Sequence, residues 1–125
     1  MFSRTRQISQ TANYLDNVPN RVIDHQITDD DRVVLLRPKF MSGILAKHLQ
    51  PHIKYPYYKV RLDEIGSSTW RAIDGARTVG EIADLLYENF GDNIEPRYER
   101  CSRFIYSLHQ GKMVTLSASK PEPKE

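Results

Sequence analysis

The stretch Asp63–Gly91 constrains the fold most, because it carries the start and stop signals of two short helices. Asp63 can cap the first helix, since its carboxylate accepts a hydrogen bond from the free amides of a first helical turn. Thr78 and Glu81 have the spacing of a capping box that opens the second helix. The stretch therefore predicts two helices joined by a tight connection.

Both helices carry one apolar stripe, which indicates that each packs one face against a core. The stripes consist of Ile65, Thr69, Trp70 and Ile73 in the first helix and Val79, Ile82, Leu85, Leu86 and Phe90 in the second. Trp70 is the one tryptophan of the chain, and we expect it at the centre of this core. Gly75 and Gly91 follow the stripes and should end the two helices in the left-handed conformation.

A third helix is predicted from Pro96, a residue that suits the first helical position, to Gly111. Its apolar face consists of Tyr98, Cys101, Phe104, Ile105 and Leu108, and its shoulder carries Arg97, Arg100 and Arg103. Cys101 is the single cysteine, so it cannot form an internal disulfide, which fits a reducing compartment such as the cytoplasm. Because Cys101 lies on the apolar face of the helix, we expect it to be an inert core thiol and not a nucleophile.

Three strands are predicted ahead of the helices. Arg21–Ile27 and Arg32–Arg37 are rich in β-branched residues and separated by turn residues, which indicates a hairpin. The second of these is apolar on both faces and should be central in its sheet or covered. The residues of Tyr57–Leu62 alternate between apolar and polar. We therefore expect Tyr58, Val60 and Leu62 to face the core, and Tyr57, Lys59 and Arg61 to face the solvent.

These elements predict an α+β fold: an N-terminal three-stranded antiparallel sheet followed by a three-helix, winged-helix-like bundle. We expect one domain over residues 19–116 with an insert at 39–56, after a partly disordered arm at 1–18 and before a disordered tail at 117–125. Met113–Leu116 can form one more short strand. The chain has no apolar run long enough to cross a bilayer and no secretory signal at its start, so we expect a cytoplasmic protein.

The insert between the second and third strands has one apolar side, one basic side and no acid. It could contact an anionic membrane or a partner's groove, or simply cover the sheet. His48 and His52 have the spacing of metal ligands, but Pro51 interrupts the helix that would align them. We therefore predict no metal site.

The charges are unevenly distributed along the chain. No Asp or Glu occurs from Arg32 to Leu62, a segment with seven Lys and Arg residues, whereas acids dominate the helix pair that follows. This pattern fits either ordinary solvated charge or a basic binding surface on the strands. No glycine-rich phosphate loop and no catalytic constellation is present, so neither an enzyme nor a bound cofactor is predicted.

Much of the helix pair resembles the PqqD family, the small proteins of pyrroloquinoline-quinone (PQQ) biosynthesis and the related recognition domains of peptide-modifying pathways. The resemblance lies in Leu62-Asp63-Glu64, Trp70, the run from Ile73-Asp74-Gly75 through Arg77-Thr78-Val79, and Glu81-Ile82. It extends over about Arg21 to Leu116. The chain departs from the family at Lys39–Pro56, where members of the biosynthetic type have a short turn.

The resemblance implies a protein without catalytic residues that binds the leader of a precursor peptide and presents it to a radical-SAM or other modifying enzyme. The leader would lie as an extra strand along the third strand, in a cleft bordered by the third helix. The corresponding residues here are Tyr57, Tyr58, Lys59, Val60 and Arg61 of the strand and Arg97, Arg100, Cys101, Phe104 and Ile105 of the helix. Such a cleft would favour an acidic peptide with apolar anchors.

The alternative hypothesis is a winged-helix DNA-binding regulator, because three helices with strands and an arginine-bearing third helix fit that architecture. Against it, Glu95 and Glu99 stand at the start of the would-be recognition helix, and the chain after Gly111 is too short for a two-stranded wing. We therefore expect a peptide partner and not nucleic acid. The sequence makes no prediction of the oligomeric state.

Overall fold

The computed structural model describes residues 14–39 and 57–118 of the 125-residue chain. The expected disorder of the arm and of the tail therefore lies almost entirely outside the described residues. The same holds for the helix, the metal-like pair His48 and His52, and the membrane or groove contacts considered for the insert.

In the described part of the chain, four strands come before the three main helices and one strand follows them. The strands are β1 (Val18–Arg21), β2 (Asp24–Ile27), β3 (Val33–Pro38), β4 (Tyr57–Arg61) and β5 (Val114–Ser117). The helices are α1 (Glu64–Ala72), α2 (Val79–Phe90) and α3 (Arg97–Gln110), with a 3₁₀ helix at Gly91–Ile94 and a further helical stretch at residues 14–16. None of these helices is long and apolar enough to span a membrane.

The α+β class with antiparallel pairing is confirmed, but the strands form two sheets and not the single sheet expected. The chain correspondingly divides into two compact units. We call Ile23–Ser67 the sheet unit, and Met1–Val22 together with Ser68–Glu125 the helix unit. The boundary falls within α1.

The sheet unit is built on three antiparallel strands in the order β2-β3-β4. β3 is the central strand, as its apolar sequence predicted, and Val33, Val34 and Leu35 are buried. Across the sheet, Leu35 lies opposite His25 of β2 on one side and Val60 of β4 on the other. The expected hairpin of the first two strands is therefore present, with the third strand beside it.

The end of the sheet is joined to the start of α1 by side-chain hydrogen bonds. Gly66 donates its backbone N–H to Asp63 Oδ1 at 2.7 Å, so Asp63 caps α1 as predicted. Leu62 donates to the Val33 carbonyl at 2.9 Å, and the buried Ser67 hydroxyl lies between these two strands. Ser67 Oγ accepts from Val33 N–H at 2.8 Å and donates to the Leu62 carbonyl at 3.4 Å.

The expected first strand, Arg21–Ile27, is wrong as one element. Its beginning belongs to β1, which pairs with β5 in the helix unit, and its end forms β2 in the sheet unit. Val22 still donates to the Met113 carbonyl at 3.2 Å, so the chain leaves the first pairing only after this residue. The expected strand near Met113–Leu116 is confirmed as β5, whose last residue, Ser117, lies opposite the first residue of β1, Val18.

The helix unit has the capped helices and the core that its sequence indicates. The backbone N–H of Glu81 donates to Thr78 Oγ1 at 3.1 Å, and the backbone N–H of Thr78 donates to Glu81 Oε1 at 2.9 Å. These two bonds confirm the capping box. Gly91 ends α2 with φ of 66°, a conformation that glycine adopts without a Cβ clash. The fully buried residues of the core are Trp70, Ile73, Val79, Ile82, Ala83 and Ile105. Pro96 is the residue before α3 and not its first helical residue.

Candidate functional site

One side of β4 has no partner strand among the described residues, because β4 lies at the end of the order β2-β3-β4. In an antiparallel ladder, the backbone groups of successive residues point alternately toward and away from the neighbouring strand. Leu62 bonds to Val33 of β3, so Val60 and Tyr58 share that direction. The N–H and C=O groups of the alternate residues, Arg61, Lys59 and Tyr57, therefore point to the open side.

The other side of β3 supports this assignment. Thr28 donates its backbone N–H to the Arg32 carbonyl at 2.8 Å, one pair beyond the β2–β3 register that places Ile27 opposite Val33. The even-numbered residues of β3 thus bond to β2, which leaves the odd-numbered ones for β4. Both ladders give the same alternation.

The two faces of β4 differ in their side chains. Tyr58 and Val60 share one face with Leu35, and Tyr57, Lys59 and Arg61 share the other with Leu36 and Val34. The expectation that Tyr58 faces the core is wrong, because 53% of its surface is exposed; Tyr57 is 42% exposed. Val60 and Leu62 are half-buried. An edge strand lacks a neighbour on one side, which leaves a large side chain such as Tyr58 partly uncovered.

Lys59 and Arg61 are exposed and make no ion pair with any described residue. Their cross-strand neighbours on β3 are the apolar Leu36 and Val34, which cannot neutralise them. Within the described part of the chain, neither cation therefore has an ionic partner.

The arginines of α3 are engaged within the helix unit. Arg97 lies 3.1 Å from Asp84 and 3.6 Å from Glu95, and its guanidinium carbon is 4.1 Å from the Tyr87 ring centroid. Tyr98 donates to the same Asp84 carboxylate at 2.6 Å, and this hydrogen bond raises the pKa of the Tyr98 hydroxyl. Arg97 therefore ties α3 to α2, which weakens its expected part in a basic surface.

The two other α3 arginines also have partners. Arg100 donates to the Asn93 carbonyl at 2.8 Å, and Arg103 lies 3.9 Å from Glu99 in a largely exposed pair. An exposed pair of this kind is worth little, so Arg103 can exchange its partner readily.

The remaining α3 residues expected at the site differ in exposure. Cys101 and Ile105 are buried in the core of the helix unit, whereas Phe104 is half-buried. The Cys101 thiol donates to the Val79 carbonyl at 3.8 Å, and burial raises its pKa to about 12. The thiol is therefore protonated at neutral pH, as expected of an inert core cysteine.

Lys39 is a contributor to the β4 surface that the sequence analysis missed. Its ammonium nitrogen lies 5.4 Å from the centroid of the Tyr58 ring, a cation–π contact. The available signal was its position directly after Pro38, which pairs with Tyr57 and so brings the following cation to the end of β4. Elsewhere in residues 14–39 and 57–118, no group of three His, Cys, Asp or Glu side chains is arranged to hold a metal ion.

A comparison with known protein families gives a match for this chain. The model of the family described as Coenzyme PQQ synthesis protein D (PqqD) matches residues 55–117, just over half of the chain. The match runs from β4 to β5 and thus includes the open strand but neither β2 nor β3. It is shorter than the resemblance from Arg21 to Leu116 expected from the motif. No curated protein sequence and no solved structure matches significantly.

Proposed function

The chain belongs to the PqqD family, and on that premise we propose that it is a non-catalytic adaptor to which a peptide adds as a strand along β4. The peptide would be the leader of a precursor, and the adaptor would present it to a modifying enzyme of the radical-SAM type. Membership of the family implies a peptide and a modifying enzyme; the adaptor role and the type of enzyme are part of our proposal.

The observation that carries the proposal is the open side of β4. Tyr57, Lys59 and Arg61 each direct one N–H and one C=O outward, and no described residue occupies them. An extended peptide can satisfy these groups by continuing the ladder, which is how β-strand addition provides affinity with little dependence on peptide sequence. Side chains along the strand then select among peptides.

The proposal covers peptide recognition in PQQ biosynthesis, which the family match supports, or in a related peptide-modifying pathway. Lys39–Pro56 separates β3 from β4, whereas members of the biosynthetic type connect the corresponding strands by a short turn. We place the adaptor in the cytoplasm, because a lone cysteine without a disulfide partner suits a reducing compartment.

The DNA-binding alternative lacks a supporting observation. A recognition helix needs several free cations for phosphates and base edges, but Arg97 and Arg100 are engaged within the helix unit, which leaves Arg103 as the one α3 arginine with a readily exchanged partner. After α3, the described chain adds only β5, which pairs with β1 and not with a second strand of a wing.

A proline scan of β4 tests strand addition directly. Proline lacks an N–H, and an edge strand tolerates it where the N–H points away from the sheet. Lys59→Pro should therefore leave the β3–β4 ladder intact while removing one open donor. Lys59→Ala is the matched control, since it removes the same side chain and keeps the N–H.

The measurement is an amide-shift titration of the full chain with peptides encoded beside its gene. A binding peptide should shift the amides of Lys59 and Arg61 in the unmodified protein. Lys59→Pro should weaken binding about tenfold more than Lys59→Ala does, because a hydrogen bond to the peptide is lost. Equal affinities of the two variants, or shifts that avoid β4, would rule out strand addition there.

A further inference from the structure

In β4, the direction of a residue's backbone groups and the face of its side chain alternate together along the strand. The residues with open backbone groups, Tyr57, Lys59 and Arg61, all place their side chains on one face. The residues bonded to β3, Tyr58 and Val60, place theirs on the other. At Lys59 and Arg61 one face of the open edge is therefore cationic, and at Val60 the other face is aliphatic. Arg37 of β3 shares this second face with Tyr58, and Lys39 lies over the Tyr58 ring.

A peptide strand added to β4 places each of its side chains on one of these two faces. In an antiparallel pair, directly opposite residues have their side chains on the same face. Peptide residues that hydrogen-bond to Lys59 and Arg61 therefore stand beside two cations that make no ion pair with any described residue. Peptide residues opposite Tyr58 and Val60 occupy non-hydrogen-bonded positions, where side chains lie closest to each other.

We infer that β4 selects peptides in which acidic and apolar residues alternate, with the acids at the positions that hydrogen-bond to β4. This inference rests on the proposed function and specifies the class of peptide that it uses. An acid opposite Val60 would meet an aliphatic surface, and an apolar residue opposite Lys59 would leave the cation without a partner. Both faults arise together when the peptide slips by one residue, so the alternation also sets the register.

The other edge of the same sheet has a different chemistry. Within the described residues β2 is also unpaired on its outer side, but it contains Asp24 and His25 and neither Lys nor Arg. An acidic peptide gains no ion pair there and would be repelled by Asp24. The side chains thus direct an acidic strand to β4, although both edges offer free backbone groups.

The test compares two capped peptides of identical composition on the full chain at low salt. One alternates (Gly-Glu-Val-Glu-Leu-Glu-Gly) and the other is blocked (Gly-Val-Leu-Glu-Glu-Glu-Gly). Amide shifts of β4 should give an affinity about tenfold higher for the alternating peptide, since several cross-strand pairs of modest strength are lost in the blocked one. The difference should shrink as salt rises, because the cations are exposed.

Charge exchange provides the second part of the test. The double variant Lys59→Glu/Arg61→Glu should prefer an alternating lysine peptide (Gly-Lys-Val-Lys-Leu-Lys-Gly) over the glutamate peptide. Lys112→Glu is the control for the change of charge. It replaces a lysine by glutamate, as Lys59→Glu does, but at an exposed residue of the helix unit. It should leave the preference for alternation unchanged.

The outcomes separate this inference from the proposed function. Equal affinities for the alternating and blocked peptides, with β4 amides shifting in both, would overturn the selection by alternation and leave strand addition standing. An unchanged preference for glutamate in the double variant would also overturn it. If no peptide shifts the β4 amides, both the inference and the proposed function fail.

Discussion

The Val33 N–H donates to Ser67 Oγ at 2.8 Å, where an ordinary ladder would offer the Leu62 carbonyl. The opposite half of the same residue pair is normal, since Leu62 donates to the Val33 carbonyl at 2.9 Å. The Ser67 hydroxyl in turn donates to the Leu62 carbonyl at 3.4 Å, so it bridges the two backbone groups. One side chain of α1 thus completes the pairing of β3 with the end of β4.

Ser67→Ala should destabilise the protein by about 1–3 kcal/mol, because it leaves the N–H of a fully buried residue without an acceptor. Ser68→Ala is the matched control, since the same change one residue later lies at a half-buried position. Denaturant unfolding measures both free energies. A loss for Ser67→Ala no larger than that of the control would mean that the hydroxyl is not needed in the pairing.

Trp70→Ala should lower the free energy of unfolding by about 3–5 kcal/mol, because it empties a completely buried site in the core. Trp70→Phe keeps most of the volume and should cost less. Circular dichroism is the appropriate readout, since Trp70 is the one tryptophan and its fluorescence is lost. A loss below about 1 kcal/mol for the alanine variant would contradict this central position.

Thr78→Ala should cost about 1 kcal/mol, since it removes the side-chain acceptor for the Glu81 N–H at the start of α2. Glu81→Ala should cost part of the same energy, because the two residues complete each other's hydrogen bonds. The double variant should lose less than the sum of the single losses. Strictly additive losses would show that the two bonds act independently.

The buried Cys101 thiol should make the protein less stable at alkaline pH. Burial raises its pKa from 9.0 to about 12, so the unfolded chain releases this proton first. Above pH 9 the unfolded state then binds fewer protons than the folded state. The free energy of unfolding should therefore fall as pH rises from the unfolded toward the folded pKa, by at most about 1.4 kcal/mol per pH unit.

Cys101→Ala provides the comparison. Unfolding of both proteins under reducing conditions at pH 8 and pH 10 should show a loss about 1 kcal/mol larger in the unmodified protein. The pKa of the half-buried Tyr14 is raised by burial and also by its neighbours Tyr106 and Cys101. The part due to burial is common to both proteins and cancels in the difference. The same pH dependence in both would contradict a buried, protonated thiol.

The features that sequence analysis predicted well depend on neighbouring residues. Asp63 with Gly66, and Thr78 with Glu81, form hydrogen bonds over three residues, so their spacing alone specifies the contact. Burial of Trp70 followed from the same local regularity, because helical spacing defines which residues share a face.

The features that it missed depend on distant partners. The segment Arg21–Ile27 divides because β1 pairs with β5, which lies at the other end of the described chain. The pairing of Arg97 with Asp84, which lies on another helix, also could not be predicted from local spacing. The open side of β4 likewise follows from the strand order, which no local pattern contains.

The pairing of β1 with β5 has a consequence for protein engineering. Val18 lies opposite Ser117, and paired Cα atoms in such a ladder are about 5 Å apart. A short glycine linker could therefore join these positions, and new termini could be opened elsewhere at little cost in loop-closure entropy. The described domain is suited to circular permutation and to insertion, as one continuous piece, into a surface loop of a host enzyme.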